Sequence, residues 1–145
     1  MSDLEIIPIT PLIGAEIKNI DLKNNLTEVN VKQIRSAFLN HSVLFFRDQK
    51  LSIDEQKVFG KYFGDLHIHP ARDRNGIEGH PEILYINAGH DTSRVNGDDW
   101  HSDVSCDQEP PMGSILRIFE APSNGGDTLF ASMYAAYDAL SEPMK

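Results

Sequence analysis

The run Val43-Leu44-Phe45-Phe46 constrains the architecture of this chain more than any other stretch. Four consecutive apolar residues are too few for a buried helix, and these are rich in branched and aromatic side chains, so they read as a strand covered on both faces. Such a strand belongs at the centre of a sheet, with further layers packed on it. Short β-type runs recur around it. Glu5-Ile6-Ile7 and Ala15-Glu16-Ile17, separated by Pro8, Pro11 and Gly14, predict a strand-turn-strand element at a sheet edge. Ile83-Leu84-Tyr85-Ile86, the stretch from Ser114 to Phe119, and Thr128-Leu129-Phe130 predict three more strands, with a tight turn over residues 122–127.

Helical periodicity appears between these runs. Thr27 is placed to cap a helix reaching about Leu39, because Val31, Ile34 and Phe38 recur at helical spacing. Ser52 followed by Glu55 is a capping-box pattern, after which Ile53, Phe59, Tyr62 and Phe63 supply an apolar face that Gly64 ends. A third helix is expected from about Met133 to Leu140. Residues 64–82 read as a loop and residues 87–99 as a second, strongly polar one, of the kind that serves as a lid beside a site. At the end of the chain, Ser141 and Pro143 read as the start of another helix, so the sequence is expected to be part of a longer domain.

Composition narrows the function. The chain has 145 residues, 40% of them hydrophobic, enough for a sizeable core. Its 13 Lys and Arg face 22 Asp and Glu, a net charge of -9 that argues against nucleic acid or an anionic membrane as partner. A small anionic substrate needs only a local cationic pocket and stays open. The single cysteine, Cys106, excludes an internal disulfide framework, reads as a packing residue and fits a reducing compartment. The N-terminus carries neither a basic n-region nor a long apolar run, so the expected location is cytoplasmic.

Trp100-His101-Ser102-Asp103 carries the chemistry. In extended backbone, residues two apart project to the same face, so His101 and Asp103 can bind one ion. A mixed nitrogen and oxygen pair with room for one more histidine suits a 2-His-1-carboxylate triad, which leaves half the coordination sphere open. His-x-Asp alone is a weak pattern. The run His67-Ile68-His69 opens a rival, a zinc module using His67, His69, His101 and Asp103. His41, His80 and His90 read as surface or capping residues.

The weak pattern gains force from its company. Trp-His-Ser-Asp-Val-Ser from Trp100, Pro-Pro-Met-Gly-Ser-Ile-Leu from Pro110, Pro-Ser-Asn-Gly-Gly-Asp-Thr-Leu-Phe from Pro122 and Ala-Ala-Tyr-Asp-Ala-Leu from Ala135 closely resemble the taurine dioxygenase family. Upstream, Ile-Gly-Ala-Glu-Ile from Ile13, Val-Leu-Phe-Phe-Arg-Asp-Gln from Val43 and Phe-Gly-Asp-Leu-His-Ile-His-Pro from Phe63 match the same family in the same order. The resemblance implies a mainly β fold with flanking helices, whose core is a double-stranded β-helix (a cupin-like jelly roll). It makes residues 1–145 the N-terminal portion of one such domain. It also implies Fe(II) as metal, 2-oxoglutarate as cosubstrate, and O2 with a small-molecule substrate as reaction partners, leaving assembly into a homo-oligomer open.

By that resemblance the iron ligands fall on His101 and Asp103, the 2-oxoglutarate-contacting threonine on Thr128, and a substrate-pocket histidine that donates to an anionic sulfonate on His69; His67 is structural or faces solvent. The family's third iron ligand and its 2-oxoglutarate-binding arginine lie beyond the chain. A jelly roll needs roughly eight strands, and about half that number can be counted here, so the barrel is expected to be incomplete, with exposed strand edges. Two departures bear on substrate: Arg72 stands where the taurine pattern has a tyrosine, offering a cationic contact, and Gly97 stands where it has a substrate-contacting asparagine. The implied reaction is hydroxylation of a small organic molecule, a sulfonate or sulfate such as taurine, with release of succinate and CO2. The alternatives are an aryloxyalkanoate or other carboxylate as substrate, and a non-catalytic truncated member that binds a partner.

Overall fold

The computed structural model describes residues 4–70, 73, 76–89, 92, 97 and 99–145. The chain divides into two compact units, Met1–Glu55 with Ile118–Lys145, and Gln56–Arg117.

In the first unit, β1 (Glu5–Pro8) runs antiparallel to β2 (Ala15–Lys18), with Ile6 opposite Ile17. The turn between them is closed by the Thr10 hydroxyl, which donates to the Ile13 carbonyl at 2.6 Å and accepts from the Ile13 amide at 3.0 Å. It also depends on Gly14, whose φ of 90° is open only to a residue without a Cβ. Helix α1 (Glu28–His41) starts where Thr27 accepts from the Asn30 amide, as its capping role requires. Its buried residues are Ile34 and Ala37, while Val31 and Phe38 are half-buried. Strand β3 (Leu44–Phe45) then pairs in parallel with β2, giving the order β1-β2-β3.

Among the described residues the central strand is therefore β2, and the expected place of Val43 to Phe46 at the centre of the sheet is corrected to its edge. Ladder pairing covers only Leu44 and Phe45, and the run is half-buried. Instead, Ala15 and Ile17 are sealed at 0% and 3% exposure. Phe45 finds its cover elsewhere in the unit, meeting the Phe130 ring edge-on at 6.2 Å, with Arg47 over its face. Helix α3 (Met133–Asp138) is capped by Ser132 and followed by a 3-10 turn, Glu142–Met144, with Pro143 in its first turn.

Helix α2 (Ile53–Lys61) opens with both halves of the capping box, Ser52 N–H to the Glu55 carboxylate at 2.6 Å and Glu55 N–H to the Ser52 hydroxyl at 3.2 Å. In the second unit, β4 (Gly76–Ile77) and β5 (His80–Leu84) form an antiparallel pair turning at Gly79. The first lies wholly and the second partly in the stretch read as loop, and β5 begins and ends earlier than the Ile83–Ile86 run suggested. Pro81 is accepted because among the described residues the sheet has only two strands and so only edges. The strands expected from Ser114 to Phe119 and from Thr128 to Phe130 are absent: these segments have no ladder partner among the described residues. Leu116, Ile118, Phe119 and Leu129 are accordingly more than 60% exposed.

Candidate functional site

The second unit assembles the His-x-Asp pair from loop segments supported on α2. Gly60 faces outward from the helix into tight quarters: a Cβ there would meet Leu66 Cδ2 at 2.8 Å and Ile115 Cδ1 at 3.5 Å. The missing side chain lets both segments approach the helix. Gln56 adds a hydrogen bond from its amide to the Ile115 carbonyl at 3.3 Å. Ser114, the neighbour of Ile115, donates its hydroxyl to Asp103 Oδ2 at 2.6 Å.

The partner of Asp103 is held as tightly. His101 Nδ1 lies 2.8 Å from the Asp99 carbonyl oxygen, an acceptor only, so Nδ1 carries a proton and donates. Nε2, on the other side of the ring, faces Asp103 Oδ1 3.4 Å away. Two such atoms facing one another can share a single cation. Two donors about 2.1 Å from one ion and at right angles to each other are about 3 Å apart, close to what is seen. The pair thus fits a divalent ion, with its outer hydrogen bonds in place. Both side chains are about half exposed, which leaves them accessible to an incoming ion.

The turn that follows is strained. Val104 has φ of 47°, a left-handed conformation costly for a β-branched residue, and Asp107 N–H closes the turn on the Val104 carbonyl at 3.2 Å. His67 Nε2 meets Asp107 Oδ2 at 3.0 Å, each side chain about one-third exposed. His67 is thus engaged by Asp107, while His69 two residues on is half-buried. The rival zinc module falls: among the described residues, which include all four of its histidine and aspartate donors, no three His, Cys, Asp or Glu gather to hold a metal. His67 is occupied by Asp107 instead.

The remaining candidates are placed as follows. Thr128 belongs to the other unit and is exposed, behind Gly125 and Gly126 with φ of 75° and 72°. Arg72 lies outside the described residues, as do His90 and most of the polar stretch read as a lid. Gly97 has φ of 99°, and a Cβ on it would come within 3.4 Å of His101 Cε1. Cys106 is exposed, which corrects its reading as a packing residue: it sits on a turn with no core beside it. His80 lies half-buried within β5. Next to it, Glu82 pairs with Lys57 of α2 at 3.1 Å. Its carboxyl is held below the ordinary value of 4.5 by its own backbone N–H first and by Lys57 second.

Periodicity and motif reading missed Asp99, Asp107 and Ser114. Asp107 follows Asp103 by four residues in a non-helical turn and Ser114 by eleven, so no regular spacing could have linked them. No helix among the described residues is long and apolar enough to cross a membrane.

Residues 5–145 match the model of the family described as taurine catabolism dioxygenase TauD, TfdA. The chain is similar to an alpha-ketoglutarate-dependent sulfate ester dioxygenase of Pseudomonas putida, 36% identical over 99% of this chain and 46% of that protein. It is similar also to an alpha-ketoglutarate-dependent 2,4-dichlorophenoxyacetate dioxygenase of Cupriavidus pinatubonensis, 32% identical over 95% of this chain and 53% of the other. Among solved structures, a taurine dioxygenase from Burkholderia xenovorans superposes with a TM-score of 0.80 at 35% identity, covering 97% of this chain and 49% of that one. The chain spans about half the length of the relatives it matches.

Proposed function

Because this chain belongs to the taurine catabolism dioxygenase TauD, TfdA family, we propose that the full-length protein is a dioxygenase that hydroxylates a small organic anion, a sulfonate or sulfate ester, releasing succinate and CO2. Enzymes of this family use Fe(II) and 2-oxoglutarate. In this reading residues 1–145 are the N-terminal portion of a single domain with a double-stranded β-helix core. The unpaired segments 114–119 and 128–130 gain ladder partners from strands beyond it.

The observation that carries the proposal is the convergence of His101 Nε2 and Asp103 Oδ1 at 3.4 Å, each backed by its own hydrogen bond. When bound there, Fe(II) supplies the oxygen activation and the oxidising power. The protein's part is positional. His101 and Asp103 present one neutral nitrogen and one carboxylate oxygen, neutralising part of the ion's charge without filling its coordination sphere. The Asp99 carbonyl fixes the imidazole tautomer, and Ser114 keeps the second carboxylate oxygen turned away from the ion. On the strength of its motif, Thr128 donates its hydroxyl to a carboxylate oxygen of 2-oxoglutarate. His69 donates an N–H to the anionic head of the substrate, and Arg72 adds a cationic contact there. Holding the target C–H bond in place and keeping water out is what this framework contributes to rate.

A second substrate class rests on the likeness to the 2,4-dichlorophenoxyacetate enzyme. An aryloxyalkanoate presents a carboxylate that the same His69 and Arg72 can receive. The test is anaerobic titration of the full-length protein with Fe(II) and 2-oxoglutarate, read by the weak visible absorption of the bound pair. The proposal expects the band in wild type and its loss in His101→Ala, followed by turnover of taurine, an alkyl sulfate or an aryloxyacetate. A protein that gives no band is not this enzyme, and the reading of a non-catalytic binding protein replaces it.

A further inference from the structure

We propose that His67 and Asp107 form a positioning clasp that holds the metal-binding turn in register with the segment carrying His69; the inference rests on the function proposed for that site. Asp107 closes the turn that begins right after Asp103, through its own N–H to the Val104 carbonyl at 3.2 Å. That turn includes a β-branched residue at φ of 47°, a conformation that persists only where surrounding contacts enforce it. On the other side, His67 is two residues from His69, and its neighbour Leu66 is seated against α2 at Gly60. The contact between His67 Nε2 and Asp107 Oδ2 at 3.0 Å therefore joins the strained turn to a segment anchored on a helix.

The pair is about one-third exposed, so its share in overall stability is small. Its value is angular. Without it the turn can relax toward an ordinary backbone conformation at Val104, and Asp103 swings with it. Ser114 restrains only one oxygen of that carboxylate and leaves the backbone free. Neither residue touches the ion or the reacting atoms in this scheme. Both act through the residues they hold.

The test is a double-mutant cycle in the full-length protein: His67→Ala, Asp107→Ala, both together, and the conservative His67→Gln, which keeps a side-chain N–H donor. Two readouts are taken well below the melting temperature: Fe(II) affinity by anaerobic titration with 2-oxoglutarate present, and the substrate KM against kcat. Each alanine variant is expected to weaken Fe(II) binding about 10-fold and to raise KM more than it lowers kcat. The double variant should be no worse than either single one, and His67→Gln should recover most of the loss. His101→Ala is run in parallel. Wild-type affinity in the clasp variants alongside loss in His101→Ala overturns the clasp and keeps the metal site. Additive losses in the double variant also overturn the clasp. Wild type that binds no Fe(II) overturns both.

Discussion

In the layer built from β1, β2, β3 and α1, the inward residues Ala15, Ile17, Ile34 and Ala37 are at most 3% exposed. Between Gly97 and Phe119, by contrast, no described residue is buried, and order comes from single hydrogen bonds such as His101 to the Asp99 carbonyl and Ser114 to Asp103. The first region is held by area removed from water, which is tolerant of detail and scales with size. The second is held by a few directional contacts, each answerable for the aim of one side chain. Substitutions should therefore separate: those in the first region move stability and leave the metal site alone, and those in the second do the reverse.

The largest separation is expected at Ile34, the most fully enclosed large side chain. Ile34→Ala leaves a cavity and should cost about 3 kcal/mol in denaturant unfolding, while the folded fraction binds Fe(II) with wild-type affinity. Weakened binding in the folded fraction would break the comparison. Next is Ser114→Ala, which removes the 2.6 Å hydrogen bond to Asp103. Fe(II) affinity should fall about 10-fold, or about 1.4 kcal/mol, with an unfolding midpoint close to wild type, since the residue is exposed.

The same contrast explains what could be read from the amino-acid sequence. Helices α1 and α2 were legible because their signals are local: Thr27 and the Ser52–Glu55 box cap them, although the second ends at Lys61, three residues before the expected stop at Gly64. The His101–Asp103 pair was legible because two residues of one motif suffice to define it. Strands were harder, since a strand is a relation between two segments. Val43 to Phe46 was recognised but misplaced, and β4 was hidden among Gly76, Gly79 and Pro81. The segment from Ser114 to Phe119 has the composition of a strand without a partner among the described residues. The roles of Asp107 and Ser114 were not legible, although Ser114 lies within a quoted motif, because they depend on a turn, on His67 forty residues away and on a helix far off in the chain.

Gly97→Ala sharpens the comparison further. A side chain at φ of 99° is strained, and its Cβ at 3.4 Å crowds the His101 ring, so about 1 kcal/mol of stability and part of the Fe(II) affinity should be lost together. This residue is where the two modes of support overlap, and calorimetry with and without metal separates the two contributions. The smallest effect is in acid. Glu82 titrates below its ordinary value of 4.5 in the fold, so its contribution is fully present above that value and drains away as pH falls through the lowered one. Glu82→Gln should remove that part of the acid sensitivity, seen as a flatter dependence of unfolding on pH below about 4.5. An unchanged slope would mean that Lys57 and the backbone N–H do not hold the carboxyl.

The most direct test of the account is an anomalous-scattering map from anaerobic crystals of the full-length protein grown with Fe(II) and 2-oxoglutarate. The account predicts one strong peak within bonding distance of both His101 Nε2 and Asp103 Oδ1, with Ser114 still donating to Oδ2. A peak at any other cluster, or none beside this pair, would contradict it.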